Sequence, residues 1–172
     1  MLYCKTIASP VGPLRLAASD KGLCAVQFQN VRRNATLPSP PGLRRTCSAS
    51  PLMEEEIGHP ILKEAEAQLK EYFAGRRKAF DLPLDPQGSM FQLKAWRELQ
   101  KIPYGQTISY GEQARRVGDA KKARAVGMAN GRNPLAIVVP CHRVIGSTGA
   151  LTGFGGGLKA KQYLLDLERR AA

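Results

Sequence analysis

Asn133-Pro134-Leu135-Ala136-Ile137-Val138-Val139-Pro140-Cys141-His142-Arg143-Val144 is the stretch on which the fold turns. Its apolar run, Leu135 to Val139, predicts a short buried strand. That strand delivers a thiol and one of the chain's 2 histidines side by side at its end. A free cysteine is most often an inert small hydrophobe in a core, so the pair alone does not establish chemistry. Its surroundings shift the balance. Gly146, Gly149, Gly153 and Gly155 to Gly157 form a glycine-rich loop whose backbone amides a ligand can approach closely. A helix is predicted from about Leu158, and it carries Glu168, a carboxylate able to orient an imidazole. Cys141, His142 and Glu168 together supply nucleophile, base and orienter.

Outward from this stretch, the preceding residues read as helices. Phe91, Leu93, Trp96, Leu99 and Ile102 suit one core helix ended by Pro103, with Trp96 as core filler rather than a stacking platform. Tyr110 to Val117, a break at Gly118-Asp119, and Ala120 to Gly131 then predict a helix-turn-helix, with Asp119 as N-cap. The second helix is expected to expose Ala125, Gly127, Ala129 and Gly131. A smooth face of this kind can press against a B-DNA minor groove only about 6 Å wide, and it reads little sequence there. From the residues alone, helix-helix packing through small residues is the preferred reading.

The first half is punctuated differently. Short apolar segments around Leu14-Arg15-Leu16 and Cys24-Ala25-Val26, broken by Pro10, Gly12, Pro13 and Gly22, predict a β-meander. Prolines, serines and paired arginines between 30 and 51 predict an exposed, mobile loop. Pro60 starts a helix with Leu62, Ala65, Leu69, Tyr72 and Phe73 on one face, stopped by Gly75. The expected organisation is an N-terminal α/β domain over 1–82, a linker at 83–88 and a C-terminal domain over 89–172.

Charge is uneven between the halves. The chain has 26 Lys+Arg against 14 Asp+Glu, a net charge of +12. Residues 1–86 carry 12 basic and 9 acidic side chains (+3), and residues 87–172 carry 14 and 5 (+9). A polyanionic partner explains that asymmetry better than a generic solvated face. No apolar run reaches membrane-spanning length and no signal-peptide pattern opens the chain, so a soluble cytoplasmic protein is expected, nucleoid-associated in a bacterium. Cysteines at 4, 24, 47 and 141 show no close pairing, which fits a reducing compartment. Cys4, Cys24 and His59 lack a fourth ligand or a CxxC spacing, so no metal is expected, and no cofactor either.

From Phe91 to Glu168 the sequence resembles the catalytic domain of the O6-alkylguanine-DNA alkyltransferases, the methylated-DNA–protein-cysteine methyltransferase family. The matching stretches are Ile102-Pro103-Tyr104-Gly105, Ser109-Tyr110-Gly111, Arg124-Ala125-Val126-Gly127, Asn133-Pro134, Pro140 to Val144, Gly149 to Phe154 and Gly156-Gly157-Leu158. They occur in the family's order and spacing. Ser9-Pro10-Val11-Gly12 and the stretch from Leu69 to Leu84 match more loosely.

The resemblance implies a ribonuclease-H-like N-terminal domain, a winged-helix-like catalytic domain and a stoichiometric, self-inactivating DNA repair reaction. Cys141 would take the alkyl group from O6-alkylguanine, and from O4-alkylthymine, in double-stranded DNA bound through the minor groove. It also implies roles. His142 accepts the thiol proton through a water while Glu168 fixes the imidazole. Arg124 fills the space of the flipped nucleotide, a simple phosphate contact being the alternative. Tyr110 turns the adjoining phosphate and hydrogen-bonds the guanine, or is a core aromatic with its hydroxyl at the surface. Asn133 braces the joint between recognition helix and active-site strand. Val144, Phe154 and Gly155 line the pocket, and Gly111, Ala125 and Ser147 meet DNA. A monomer is expected, with cooperative assembly on DNA left open.

Two departures stand out. Phe154 replaces a tyrosine found in some members, and Asn130 takes a position that is apolar in some relatives, which bears on pocket shape. A lesion sensor without repair activity is the runner-up, and Cys141 argues against it. A cysteine hydrolase would use the same Cys-His pair, yet would not need the helix-turn-helix, the basic half or Arg124.

Overall fold

A computed structural model describes residues 2–29 and 58–172. The expected loop at 30–51, with its arginine pairs, and Cys47 lie outside the described residues.

Three strands, β1 (Tyr3–Ile7), β2 (Leu14–Ala18) and β3 (Leu23–Phe28), form an antiparallel meander in the order β1-β2-β3. Register places Leu16 of β2 between Lys5 and Val26, with Leu14, Leu16 and Val26 buried. Helix α1 (Pro60–Phe73) packs on this sheet through Leu62, Ala65, Leu69 and Tyr72. Pro60 opens it because the first helical turn needs no N–H there, and Gly75, at φ 74°, follows its end.

The segment after α1 is stitched to the sheet. Leu84 bridges Leu23 in parallel, with the Leu23 amide donating to the Pro83 carbonyl at 2.7 Å and the Asp85 amide donating to the Leu23 carbonyl at 2.9 Å. Gly22 permits this approach, since a Cβ there would lie 2.8 Å from the Pro83 oxygen.

The second half is helical. Helix α2 (Met90–Gln100) begins in a capping box in which Ser89 and Gln92 satisfy each other's backbone amides. It buries Ala95, Trp96 and Leu99, and the Trp96 indole N–H donates to the Ala129 carbonyl at 2.9 Å. Trp96 is a core residue, as its helical spacing implied. The two-residue strand β4 (Ile108–Ser109) leads into α3 (Tyr110–Val117), capped by the Ser109 hydroxyl. Gly118 turns the chain at φ 124°. Asp119 then caps a 3-10 turn (Ala120–Lys122) that continues into α4 (Ala123–Gly131). The helix-turn-helix is therefore present, its second helix starting three residues later than the N-cap suggests. Strand β5 (Val144–Ile145) pairs with β4 in parallel, and α5 (Leu158–Ala171) closes the chain. The architecture is mixed α/β, a small N-terminal sheet unit followed by a helical one.

Three expectations need correction. Leu135 to Val139 is not a strand. Leu135 makes a single parallel bridge to Val26, and the chain then winds through tight turns, the Val138 amide donating to Ala136 and the Val139 amide to Leu135, with Ile137 at φ 73°. An apolar run signals burial, not conformation, and here burial on every side coexists with local turn hydrogen bonds. Ala129 is not on the exposed face of α4. It is 3% exposed, because it packs in a cluster with Ala95, Ala114, Val117 and Val126. Cys4 is disulfide-bonded while Cys24 and Cys141 are free thiols, so the cysteine spacing hid a pairing.

Candidate active site and DNA-facing helix

Cys141 does not sit at a strand end but opens a one-turn 3-10 helix (Cys141–Arg143) directly after the buried turns. Asn133 holds those turns in shape. Its side-chain oxygen accepts from the Leu135 amide at 3.0 Å and its amide donates to the Val139 carbonyl at 2.8 Å. The residue thus spans the whole connection between α4 and the thiol. Burial pushes the Cys141 thiol above its ordinary value, against the pull of a hydrogen bond from Asn133 and the charge of Lys161.

Glu168 is the centre of the site. Its Oε1 accepts from His142 Nε2 at 2.7 Å and from the Tyr72 hydroxyl at 2.9 Å, and Arg143 donates to both carboxylate oxygens through Nε and Nη2. The Gly105 amide lies 3.4 Å from Oε2. Burial by itself would raise this carboxyl, yet the hydrogen bonds and charges of His142 and Arg143 outweigh it and hold the group at about 2. Burial also pushes the His142 imidazole below its ordinary value. A tautomer follows. Glu168 is ionised and only accepts, so the neutral imidazole carries its proton on Nε2. Nδ1 is therefore the basic nitrogen, and among the described residues it is buried without a hydrogen-bond partner.

Three buried polar residues of the site were missed in the sequence. Arg143 clamps Glu168 and donates through Nη1 to the Ile102 carbonyl at 2.8 Å. Tyr72 was read only as core, whereas its hydroxyl reaches Glu168 from the N-terminal half. Lys161 is fully buried, its ammonium donating to the Val144 carbonyl at 2.7 Å and the Thr152 carbonyl at 2.9 Å. Burial pushes its pKa down, opposed by Cys141. A signal for Lys161 did exist, since it and Glu168 are seven residues apart on one face of α5.

The other candidates fall into two groups. Val144 is buried, and the half-buried Phe154 ring stands 6.5 Å from the His142 ring and 5.4 Å from Phe28. Tyr110 is half-buried at the start of α3, with its hydroxyl 3.3 Å from the Thr152 carbonyl and 3.2 Å from the Thr152 hydroxyl. Tyr110 and Phe154 thus meet in the glycine-rich loop, Tyr110 through Thr152 and Phe154 as one of its residues. Gly155 lies exposed in that loop. Arg124, Gly111 and Ser147 are exposed and Ala125 is half-buried. Asn130, the departure noted above, is buried. It exchanges two hydrogen bonds with the buried Gln113, at 2.9 and 2.7 Å, and so ties α4 to α3. A cavity of about 240 Å³ lies behind Arg143, lined by Tyr104, Phe80 and Pro140 and not by Cys141.

A buried thiol, a histidine bound to an ionised carboxylate and a helix-turn-helix occur together in a chain that two family models cover almost end to end. The family model described as 6-O-methylguanine DNA methyltransferase, ribonuclease-like domain, matches residues 2–86. The corresponding DNA binding domain model matches residues 90–170. A methylated-DNA–protein-cysteine methyltransferase from Methanosarcina acetivorans is 44% identical over 97% of this chain and 98% of that one. The chain belongs to the methylated-DNA–protein-cysteine methyltransferase family. A methyltransferase of that name from Mycolicibacterium paratuberculosis is 47% identical over 99% of this chain and 94% of its own. The crystal structure of Mycobacterium tuberculosis OGT in complex with DNA superposes with a TM-score of 0.79 at 43% identity, covering 99% of this chain and 94% of that one.

Proposed function

We propose that the protein repairs DNA by moving the alkyl group of O6-alkylguanine, and of O4-alkylthymine, onto its own Cys141. The observation that carries this reading is the His142 imidazole, tied through Nε2 to an ionised Glu168 so that Nδ1 remains as the basic nitrogen, on the residue that directly follows Cys141 in the chain. A neutral thiol is a poor nucleophile, and this one is pushed further toward neutrality by burial, so a base is required. His142 takes the thiol proton through a water, and Glu168 stabilises the imidazolium that results.

The sulfur then attacks the alkyl carbon in line. A C–S bond forms, the bond from that carbon to O6 breaks, and its electron pair passes to the guanine. Tyr110 donates a proton to the ring as negative charge develops there. Lys161 and Asn133 hold the Val144 and Val139 carbonyls on either side of the thiol, fixing the wall of the pocket with Phe154 and Gly155. The product is a thioether with no carbonyl for water to attack, so one chain performs one transfer and no cofactor takes part.

O6 of a stacked guanine is out of reach of a protein thiol, so the nucleotide must be flipped, at a cost of a few kcal/mol. Arg124, exposed on α4, fills the space left behind, with Gly111, Ala125 and Ser147 at the DNA surface. The protein meets the minor groove as a monomer in the cytoplasm. Among the described residues no helix is long and apolar enough to cross a membrane. The test is incubation with a duplex carrying labelled O6-methylguanine. One label per chain on Cys141 by mass spectrometry is expected. Repeated turnover, label on Cys24, or label that stays on bound DNA would overturn the reading.

A further inference from the structure

Met128 is the one large apolar side chain that α4 leaves in solvent. It is 63% exposed, and the other strongly exposed large hydrophobics among the described residues, Met90 and Leu158, begin different helices. It stands four residues after Arg124 and three before Gly131, so the three share one helical face. Arg124 is exposed, and around Gly131 an added Cβ would meet nothing within 4 Å. A Cβ added at the neighbouring Gly127 would instead lie 3.6 Å from the Tyr110 ring. The outer face of α4 is thus an arginine, a thioether and a gap. Lys121, Lys122 and Arg132 are exposed around it, a charge pattern complementary to phosphate.

We infer that Met128 is a second, apolar wedge that enters the minor groove beside Arg124 and holds the gap from which the nucleotide is expelled. The inference rests on the repair reading above. A helix with its side chains is about 10 Å across, and the groove is about 6 Å wide, so α4 cannot enter it and only slender side chains can reach the base edges. Arginine and methionine are both unbranched. Methionine adds flexibility and a polarisable sulfur, which lets it pack against sugars and base edges of any sequence. Proteins that bend DNA from the minor groove insert apolar side chains, methionine among them, between base steps. Arg124 would supply length and charge, and Met128 the water-excluding contact that keeps the strand from closing.

The experiment uses the whole chain and two substrates, a duplex with one O6-methylguanine and free O6-benzylguanine, read as single-turnover transfer rates. Met128→Gln keeps length but adds a polar end. It is expected to lower the ratio of duplex to free-base rate about tenfold, in line with the loss of a buried apolar side chain. The slope of log binding constant against log salt should stay that of wild type, because no phosphate contact is lost. Met128→Leu should restore the ratio, and Met90→Gln should leave it unchanged. A wild-type ratio in Met128→Gln overturns the inference, as does an equal loss on both substrates. A changed salt slope would make the residue part of a phosphate contact and overturn it too. If wild type transfers from neither substrate, the repair reading itself fails, and the two failures are told apart.

Discussion

The Glu168 network and the outer face of α4 treat their polar groups in opposite ways. Around Glu168 the charges are buried and matched: one carboxylate accepts from His142, Arg143 and Tyr72, residues drawn from both halves of the chain. On α4, Arg124 and Met128 are left in solvent, one charged and one apolar. Groups that act on each other through the reaction are locked together in the core, whereas groups that act on a partner stay uncommitted until it arrives. Substitutions in the first region should damage stability and chemistry together, and substitutions in the second should damage recognition alone.

The largest effect separates the two regions outright. Cys141→Ser is expected to abolish transfer to a labelled duplex while binding, followed by fluorescence anisotropy, stays within about twofold, since an alcohol is far too weak an acid to supply the nucleophile. Binding that falls with transfer would mean the core network also shapes the DNA face.

Next comes the matched carboxylate. Glu168→Gln removes the charge that Arg143 needs, and loss of one partner of a buried pair costs about 3 to 5 kcal/mol. Urea unfolding should show it. The pH dependence has a definite sign. Glu168 is held at about 2, below its ordinary 4.5. The unfolded chain therefore binds that proton first, and the stabilisation is full above 4.5 and lost as pH falls toward 2. His142, pushed below 6.5 by burial, acts in the same direction and begins to do so near pH 6.5. Glu168→Gln should erase the lower limb of this acid destabilisation.

Arg124→Ala should leave urea stability within about 0.5 kcal/mol, as for other exposed positions. The ratio of duplex to free-base transfer should drop on the order of a hundredfold, because only the duplex requires flipping. An equal loss on both substrates would move Arg124 into the core side of the comparison. The smallest effect is expected from Trp96→Phe, which leaves the Ala129 carbonyl without its indole donor under α4. About 1 to 2 kcal/mol of stability should be lost, with single-turnover repair close to wild type.

Much of this contrast was legible in the sequence, but unequally. Cys141, His142 and Glu168 announced themselves because their residue types and neighbours narrow the chemistry, and the helix-turn-helix followed from periodicity and two breakers. The partners of Glu168 did not. Tyr72 lies 96 positions away, and nothing local distinguishes a core tyrosine from one whose hydroxyl meets a carboxylate. Arg143 is adjacent to the histidine and was still missed, since a charge in a motif reads as exposed by default. Leu135 to Val139 was misread because an apolar run reports burial and leaves the backbone undetermined. Asn130 was placed at the pocket by analogy, and its pairing with Gln113 depends on the facing of two helices that no single helix pattern contains.

Strand β3 lies at an edge of the meander, and its outer side is occupied by Leu84 and Leu135 through parallel bridges. During synthesis that edge leaves the ribosome long before residue 135 exists. Until then part of it is an open template for pairing with any other chain, the hazard that sheet edges carry. The segment that positions the reactive thiol is thus also the cover that keeps the newborn N-terminal half from aggregating, and a chain interrupted before it should be lost to inclusion bodies rather than accumulate as a harmless fragment.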